Sequence, residues 1–205
     1  MKLLKPRLAT GKSFAEAIRL RKTTREMTDE KIDPQTLSNL LFAACGVNRR
    51  RGPFGQLGIT AASASNSQEI RVYVALEEGT FLFEPKRHAL ERITKKDLRP
   101  LALTPHQPRV SAPPLHLVYV VDLDKLEHTQ GFDEPGLHDP EVQKAYYFVD
   151  TGLVAGNVYL FAAAHDLACW FHNCDKKKLA KKLGLGKAQR VLFAQSVGHP
   201  AGARR

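Results

Sequence analysis

The sequence predicts a mixed fold in which capped helices are interleaved with a small strand meander, and three observations carry that prediction. Asp33-Pro34 and Gly46 bracket Leu37, Leu40, Leu41 and Ala44, whose i, i+3, i+4, i+7 spacing is that of a helix laid on a core. Ile70-Arg71-Val72-Tyr73-Val74 alternates apolar and other residues as a strand does, and Glu77-Glu78-Gly79 turns the chain into Thr80-Phe81-Leu82-Phe83. Leu115 to Val121 is a more continuous apolar run, as expected of a strand buried on both faces.

The remaining elements follow in order. Ser13-Phe14-Ala15-Glu16 fits a capping box, so a helix should begin there and run out into Leu20-Arg21-Lys22-Thr23-Thr24-Arg25. Residues 48–67 read as an irregular loop, with Arg49-Arg50-Arg51 and glycines first and small hydroxylated residues after. Ala89 to Ile93 adds a third short strand to the meander. Residues 122–139, with His128 and His138, read as a surface loop. Asp139-Pro140 opens a helical region expected to break or kink on its way to His165. There Leu153, Asn157, Leu160, Ala164 and Leu167 keep helical spacing while Val154, Val158 and Phe161 make the other faces apolar. A helix apolar all round must be enclosed by protein, with a partner subunit as one candidate. Asp175 caps a lysine-rich helix ending near Gly184, and Val191 to Ala194 gives a last strand.

At 205 residues the chain can build its own core, and the length favours one domain. Hydrophobic residues at 43% and charged residues at 25% exclude a disordered or fibrous chain. Three sparse cysteines, Cys45, Cys169 and Cys174, read as free thiols of a reducing compartment. The first residues carry charge without a following apolar run, so no secretory signal is expected and the protein is placed in the cytoplasm. Leu153 to Phe171 contains Asn157, His165 and Asp166, which argues for a buried helix and against a membrane span. A net charge of +10 suits an anionic partner of any size and decides nothing alone.

The knot at 21–25 has the chemistry of a phosphate site: arginine forks match phosphate oxygens, lysine adds a point charge, and a threonine hydroxyl completes the cradle. The bland alternative is a solvated basic face. The run Lys176-Lys177-Lys178 with Lys181 and Lys182 reads as such a face, because no nucleic-acid motif accompanies it; nucleic acid is disfavoured as a partner. His165, Cys169, His172 and Cys174 fit no standard ligand spacing, so no metal site is assigned. No Gly-x-Gly-x-x-Gly follows a strand, and neither a Gly-Lys-Ser/Thr loop nor Gly-x-Ser-x-Gly is present, which leaves Rossmann dehydrogenases, nucleotide hydrolases and serine hydrolases without support.

Arg21-Lys22-Thr23-Thr24-Arg25, then Ser65-Asn66-Ser67-Gln68 ahead of a strand, then Asp150-Thr151-Gly152 leading into Asn157, together resemble the nitroreductase-like family of FMN-dependent oxidoreductases. The first motif keeps the family's hydroxyl as threonine in place of serine. The second lacks the Pro-Trp pair that follows glutamine in the family and has Glu69-Ile70 instead. Gly79 to Pro85 with His88-Ala89-Leu90 further resembles the azoline-forming dehydrogenase subgroup. The resemblance implies an α+β sandwich, with a mostly antiparallel central sheet flanked by helices, in an intertwined homodimer holding two FMN at the subunit interface. Residues 1–12 would be an N-terminal extension and 13–205 a single FMN-binding domain.

By the same resemblance Arg21, Thr23 and Arg25 would hold the flavin phosphate and ribityl hydroxyls, with Lys22 near the polar edge of the ring. Ser65, Asn66, Ser67 and Gln68 would reach the ring from the other subunit, Trp170 and Phe171, in a turn at 169–172, would lie along its face, and Arg204 or Arg205 would add to the phosphate. No catalytic acid or nucleophile is named, since the cofactor carries the chemistry. The implied activity is NAD(P)H-driven ping-pong reduction of a nitroaromatic or quinone-type acceptor. Two alternatives stay open: an FMN-dependent dehydrogenase of its own substrate, and a non-catalytic flavin-holding or basic binding protein.

Overall fold

Side-chain parity in one strand sets the layers. In β6 (Leu115–Asp122) the residues Leu115, Leu117, Tyr119 and Val121 join one apolar cluster, while Val118 and Val120 join another on the opposite face. Such a strand requires cover on both sides. In this computed structural model, which describes residues 1–104, 107, 113–130 and 139–202, helices supply that cover.

Along the chain, α1 (Phe14–Leu20) and α2 (Pro34–Cys45) precede a two-stranded antiparallel ladder of β1 (Val47–Arg49) and β2 (Gly58–Ile59). Next come β3 (Ile70–Leu76), β4 (Gly79–Glu84) and β5 (Ala89–Thr94), then β6, a short α3 (Leu123–Glu127) and the long α4 (Pro140–Ala164). The chain closes with β7 (Ala168–His172), α5 (Lys176–Leu183) and β8 (Gln189–Gly198). The main sheet runs β5-β4-β3-β6-β8-β7 with every neighbouring pair antiparallel, so β7 is an edge. Helices α2 and α4 share the cluster on one face and α5 covers the other, which is the α+β sandwich.

Local chemistry explains the boundaries. Ser13 and Glu16 form the reciprocal capping box of α1, and the Asp33 carboxylate accepts the Gln35 and Thr36 N–H groups at the start of α2. Leu40 and Leu41 are completely buried in α2, each contributing about 1.5 to 3 kcal/mol by leaving water. The β3–β4 turn needs glycine: Gly79 has φ +139°, and a Cβ there would meet Thr94 O at 2.5 Å. Gly184, at φ +66°, ends α5 in the left-handed form.

Four expectations change. Residues 48–67 are not simply irregular, since β1, which starts at Val47, runs into them and pairs with β2 around a 3-10 turn at Pro53–Gly55. The expected loop at 122–139 begins with α3, and His138 lies outside the described residues. The region 140–164 is one unbroken helix of 25 residues. Residues 169–172 form strand β7, paired with β8 from Ala168↔Gly198 to His172↔Ala194, because an edge position lets a short segment borrow a ladder.

α4 is long and apolar enough to cross a membrane by composition, yet its Val154, Val158 and Phe161 belong to the cluster shared with α2 and the sheet, as in a core helix. It is not apolar to the same purpose all round. Phe148, Val149 and Leu153 stay exposed, as do Phe14 and Ile18 on α1, which packs on α4.

Candidate functional site

The basic segment does not hang free beyond α1; it is laid along the outer edge of β7. Thr24 N–H donates to Cys169 O at 2.9 Å, and beyond it Met27 bridges to Pro200 at the end of β8. Arg21, Lys22, Thr23 and Arg25 remain exposed along this line. The Arg25 guanidinium sits 5.4 Å from the Trp170 ring centroid, and Arg21 sits 5.5 Å from that of Tyr159. Tyr159, on α4, fixes both partners: its hydroxyl accepts the Phe171 N–H at 2.9 Å and lies 3.0 Å from Thr23 Oγ1. Cations, a hydroxyl and two aromatic residues of β7 are thereby brought together.

The stretch 65–68 is gathered elsewhere. Ser65, Asn66 and Gln68 all take positive φ (45°, 58° and 51°), a left-handed run that non-glycine residues adopt only when held. Asn66 Nδ2 and Gln68 Nε2 both donate to Leu57 O, at 3.1 and 2.6 Å, and Gln68 Nε2 also donates to Asn66 Oδ1. Asp150 of α4 accepts the Ala64 N–H at 2.8 Å, and the buried Ser67 hydroxyl donates to Glu69 Oε2 at 2.6 Å.

Asp150 and Tyr159 anchor the two groups, and they stand nine residues apart on α4, about 13 Å along its axis. The single chain therefore brings 21–25 together with 170–171 but not with 65–68. Arg204 and Arg205 lie outside the described residues. The histidines and cysteines have other partners: His172 has Ser196 Oγ at 2.7 Å and Asn173 O at 2.9 Å, His165 stacks on Phe161, and Cys169 Sγ accepts from Gln195 Nε2. Burial pushes each of the Cys45, Cys169 and Cys174 thiols up to about 12, so they are unreactive.

The family model described as the Nitroreductase family matches residues 18–199, a span holding both groups and both anchors. The chain belongs to the Nitroreductase family. It is accordingly an oxidoreductase, of a flavin-dependent kind. Over 152 residues it is 28% identical to a Methanocaldococcus jannaschii protein named as a nitroreductase, covering 70% of each. The crystal structure of a protein named as a nitroreductase from Ralstonia eutropha superimposes with TM-score 0.84 at 29% identity, over 98% of this chain and 90% of that one. The NADPH:FMN oxidoreductase of Vibrio harveyi, solved with NAD+, shares the fold at TM-score 0.62 and 21% identity, over 92% and 69%. The Escherichia coli microcin synthetase complex contains the same fold, at TM-score 0.70 and 16% identity, over 97% and 77%.

Three residues of this chain were not singled out from sequence: Tyr159, Asp150 as an anchor, and Glu69. For Tyr159 the signal was a hydroxyl among apolar helix positions; for Glu69 it was an acid standing where Pro-Trp was expected. Glu69 is fully buried, its Oε1 has no hydrogen-bond donor among the described residues, and Asp150 faces it. Burial pushes the Glu69 carboxyl up to about 7; the Ser67 hydroxyl pulls down and the Asp150 charge adds to the rise. Burial raises Asp150 as well. The pair is best satisfied with one proton, held on Glu69.

A proton retained in the fold between the ordinary glutamate value and about 7 stabilises the protein fully at low pH, and that contribution is lost as pH rises through this window. Urea denaturation should show stability falling by roughly 1 to 3 kcal/mol between about pH 4.5 and 8 from this group. Glu69→Gln, which mimics the protonated acid, should remove that part of the slope and be the more stable form at pH 8. An unchanged slope in the variant would refute the assignment.

Proposed function

We propose that this nitroreductase binds FMN and catalyses NAD(P)H-driven ping-pong reduction of nitroaromatic or quinone-type acceptors, as a cytoplasmic homodimer. The observation that carries the reading is the juxtaposition of Arg21, Lys22, Thr23 and Arg25 with Trp170 and Phe171 along the outer edge of β7. The donor set fits the group. Guanidinium forks and a hydroxyl suit a phosphomonoester and ribityl chain, and the half-buried strand beside them offers an apolar wall for a flat ring. FMN, when bound, supplies the two-electron chemistry, taking hydride from a reduced nicotinamide and passing the electrons to the acceptor.

This chain's residues bind and orient. Arg21 and Arg25 neutralise the phosphate, with Thr23 held in place by Tyr159. Lys22 would add a further positive charge to the site, favouring an anionic group held there. The partner subunit's Asn66 completes the site, which agrees with the 13 Å or so separating the two anchors in one chain. A second copy would also cover Phe14, Ile18, Val149 and Leu153, apolar surface that a lone chain leaves in water. Residues 13–205 would form the FMN-binding domain, with residues 1–12 as an extension that threads Leu3 into its core.

Protein mixed with FMN and desalted should keep the yellow absorbance of bound flavin, which anaerobic NADH or NADPH should bleach. A retained flavin that neither nucleotide bleaches would replace this reading by the own-substrate dehydrogenase or the flavin holder; no retained flavin would refute it. Arg21→Ala and Arg25→Ala should each weaken FMN about ten-fold or more, the loss expected of a charge-assisted contact. For the dimer, Leu153→Glu should shift the size-exclusion mass to one chain and abolish flavin retention together; a dimer that persists would remove α4 from the interface.

A further inference from the structure

The aromatic surface beside β7 does not end with Phe171. That ring packs at a tilt on Phe193 of β8, with centroids 4.8 Å apart, and Phe193 meets Phe148 of α4 at 5.8 Å. The three rings form one continuous strip, and each has surface left to give: Phe148 is 37% exposed, and Phe171 and Phe193 are half-buried. Phe148 stands eleven residues before Tyr159, about three turns, so the two lie on nearly the same face of α4. That face meets β7 and β8, whereas Val149 and Leu153 lie elsewhere on the circumference.

A cation sits directly on this strip. Lys176, the first residue of α5, holds its Nζ 5.0 Å from the Phe193 ring centroid, and therefore within about 10 Å of the Phe171 ring. It forms no ion pair among the described residues, because the adjoining Asp175 carboxylate is taken by the Lys178 ammonium at 2.9 Å and by the Lys178 N–H. The cations at 21, 22 and 25 are engaged by the flavin in the reading above, and Lys176 is left over. A neutral aromatic molecule would cover the rings and leave Lys176 without a counter-charge. An aliphatic acid would meet the charge and forfeit the ring contacts. An aromatic acid uses both.

We propose that Phe148, Phe193 and Lys176 form the acceptor subsite and select an aromatic acceptor that carries an acid group, its ring against Phe148 and Phe193 and its carboxylate at Lys176. The inference rests on the flavin reading above and names the substrate class within it. With a nitrobenzoate the balance closes: the nitro group takes two electrons and two protons and loses one oxygen as water, leaving the nitroso acid. The reduced nicotinamide supplies the hydride and solvent the other proton. The three side chains decide which acceptor is held; they touch no bond that breaks.

The test compares 4-nitrobenzoate with its neutral amide, 4-nitrobenzamide, on the FMN-loaded full chain. Two readouts are taken: steady-state turnover with saturating NADH or NADPH, and calorimetric titration of the oxidised protein without nucleotide. The acid should be preferred about five-fold in kcat/KM and in affinity at low salt, and added salt should shrink that preference, as for a partly exposed ion pair. Lys176→Gln should bring the ratio to about one, chiefly through KM. Lys177→Gln removes an equal charge from an exposed position on the same helix, off the strip, and should leave the ratio as it was. Phe148→Ala should weaken acid and amide alike, about three-fold or more, as the loss of an aromatic contact does. Equal use of acid and amide by the unmodified chain would overturn the proposal. So would a preference that survives Lys176→Gln or falls equally with Lys177→Gln, or affinities untouched by Phe148→Ala. Flavin retention and its bleaching by nucleotide are measured first: their failure in the unmodified chain overturns the flavin reading and this one together, whereas their success without an acid preference overturns this one alone.

Discussion

A helix of 25 residues laid on one face of a sheet can bury only part of its circumference, and α4 meets that limit directly. Its Val154, Val158 and Phe161 side goes to the core, while Val149 and Leu153 are left in water. Polar groups between those two sides are wholly or partly removed from water, and must find fixed partners. Asp150 finds the Ala64 N–H and Tyr159 finds Thr23 and the Phe171 N–H. Both halves of the candidate site hang from these two side chains. Moving α4 would move both.

The β7 edge adds the second condition. An edge strand exposes backbone groups that natural proteins cover or use. Here the cover is the basic segment itself, tied by the Thr24 bond to Cys169 O and continued by the Met27 bridge to Pro200, just past β8. Covering the edge in this way keeps Arg21, Lys22 and Arg25 exposed as a cluster of positive charge on a backbone whose own polar groups are partly satisfied. Behind β7 the support is stiff. Buried Gln195 accepts from the Tyr119 hydroxyl and donates to Ala155 O and Cys169 Sγ, joining β6, β8, α4 and β7 in one network.

What was legible in the sequence was whatever depends on local chemistry. The caps at Ser13, Asp33 and Asp175, the Gly79 turn and the two-sided burial of β6 are all decided within a few residues, and they stand as read. The elements that were missed depend on distant partners. β1, β2 and β7 are short segments whose strand character comes from a neighbour, and α3 is a five-residue helix following directly on a strand. α4 runs unbroken through Gly152 and Gly156, each costing about 1 kcal/mol of helix propensity, because its tertiary contacts outweigh that cost. In the site, the resemblance pointed to the motif residues as candidates. It did not point to Tyr159, or to Asp150 as an anchor, because their roles depend on which face of α4 meets which loop.

The 65–68 stretch shows why Glu69 belongs to the fold as much as to any site. Three left-handed non-glycine residues there carry strain of about 1 to 3 kcal/mol each, and such a run persists only if its surroundings over-determine it. Most of the restraints are neutral bonds to Leu57 O, Ser63 Oγ and neighbouring amides. The remaining two run through carboxyls, Asp150 to the Ala64 N–H and Glu69 from the Ser67 hydroxyl. Two buried carboxyls facing each other cannot both stay charged without a large desolvation cost, so one proton stays with the pair. A proline and tryptophan in the same place would have fixed the backbone by ring geometry and packing, with no titration. Here part of the same task falls to an acid pair, so the stability of the held stretch carries a pH dependence that its neutral bonds do not.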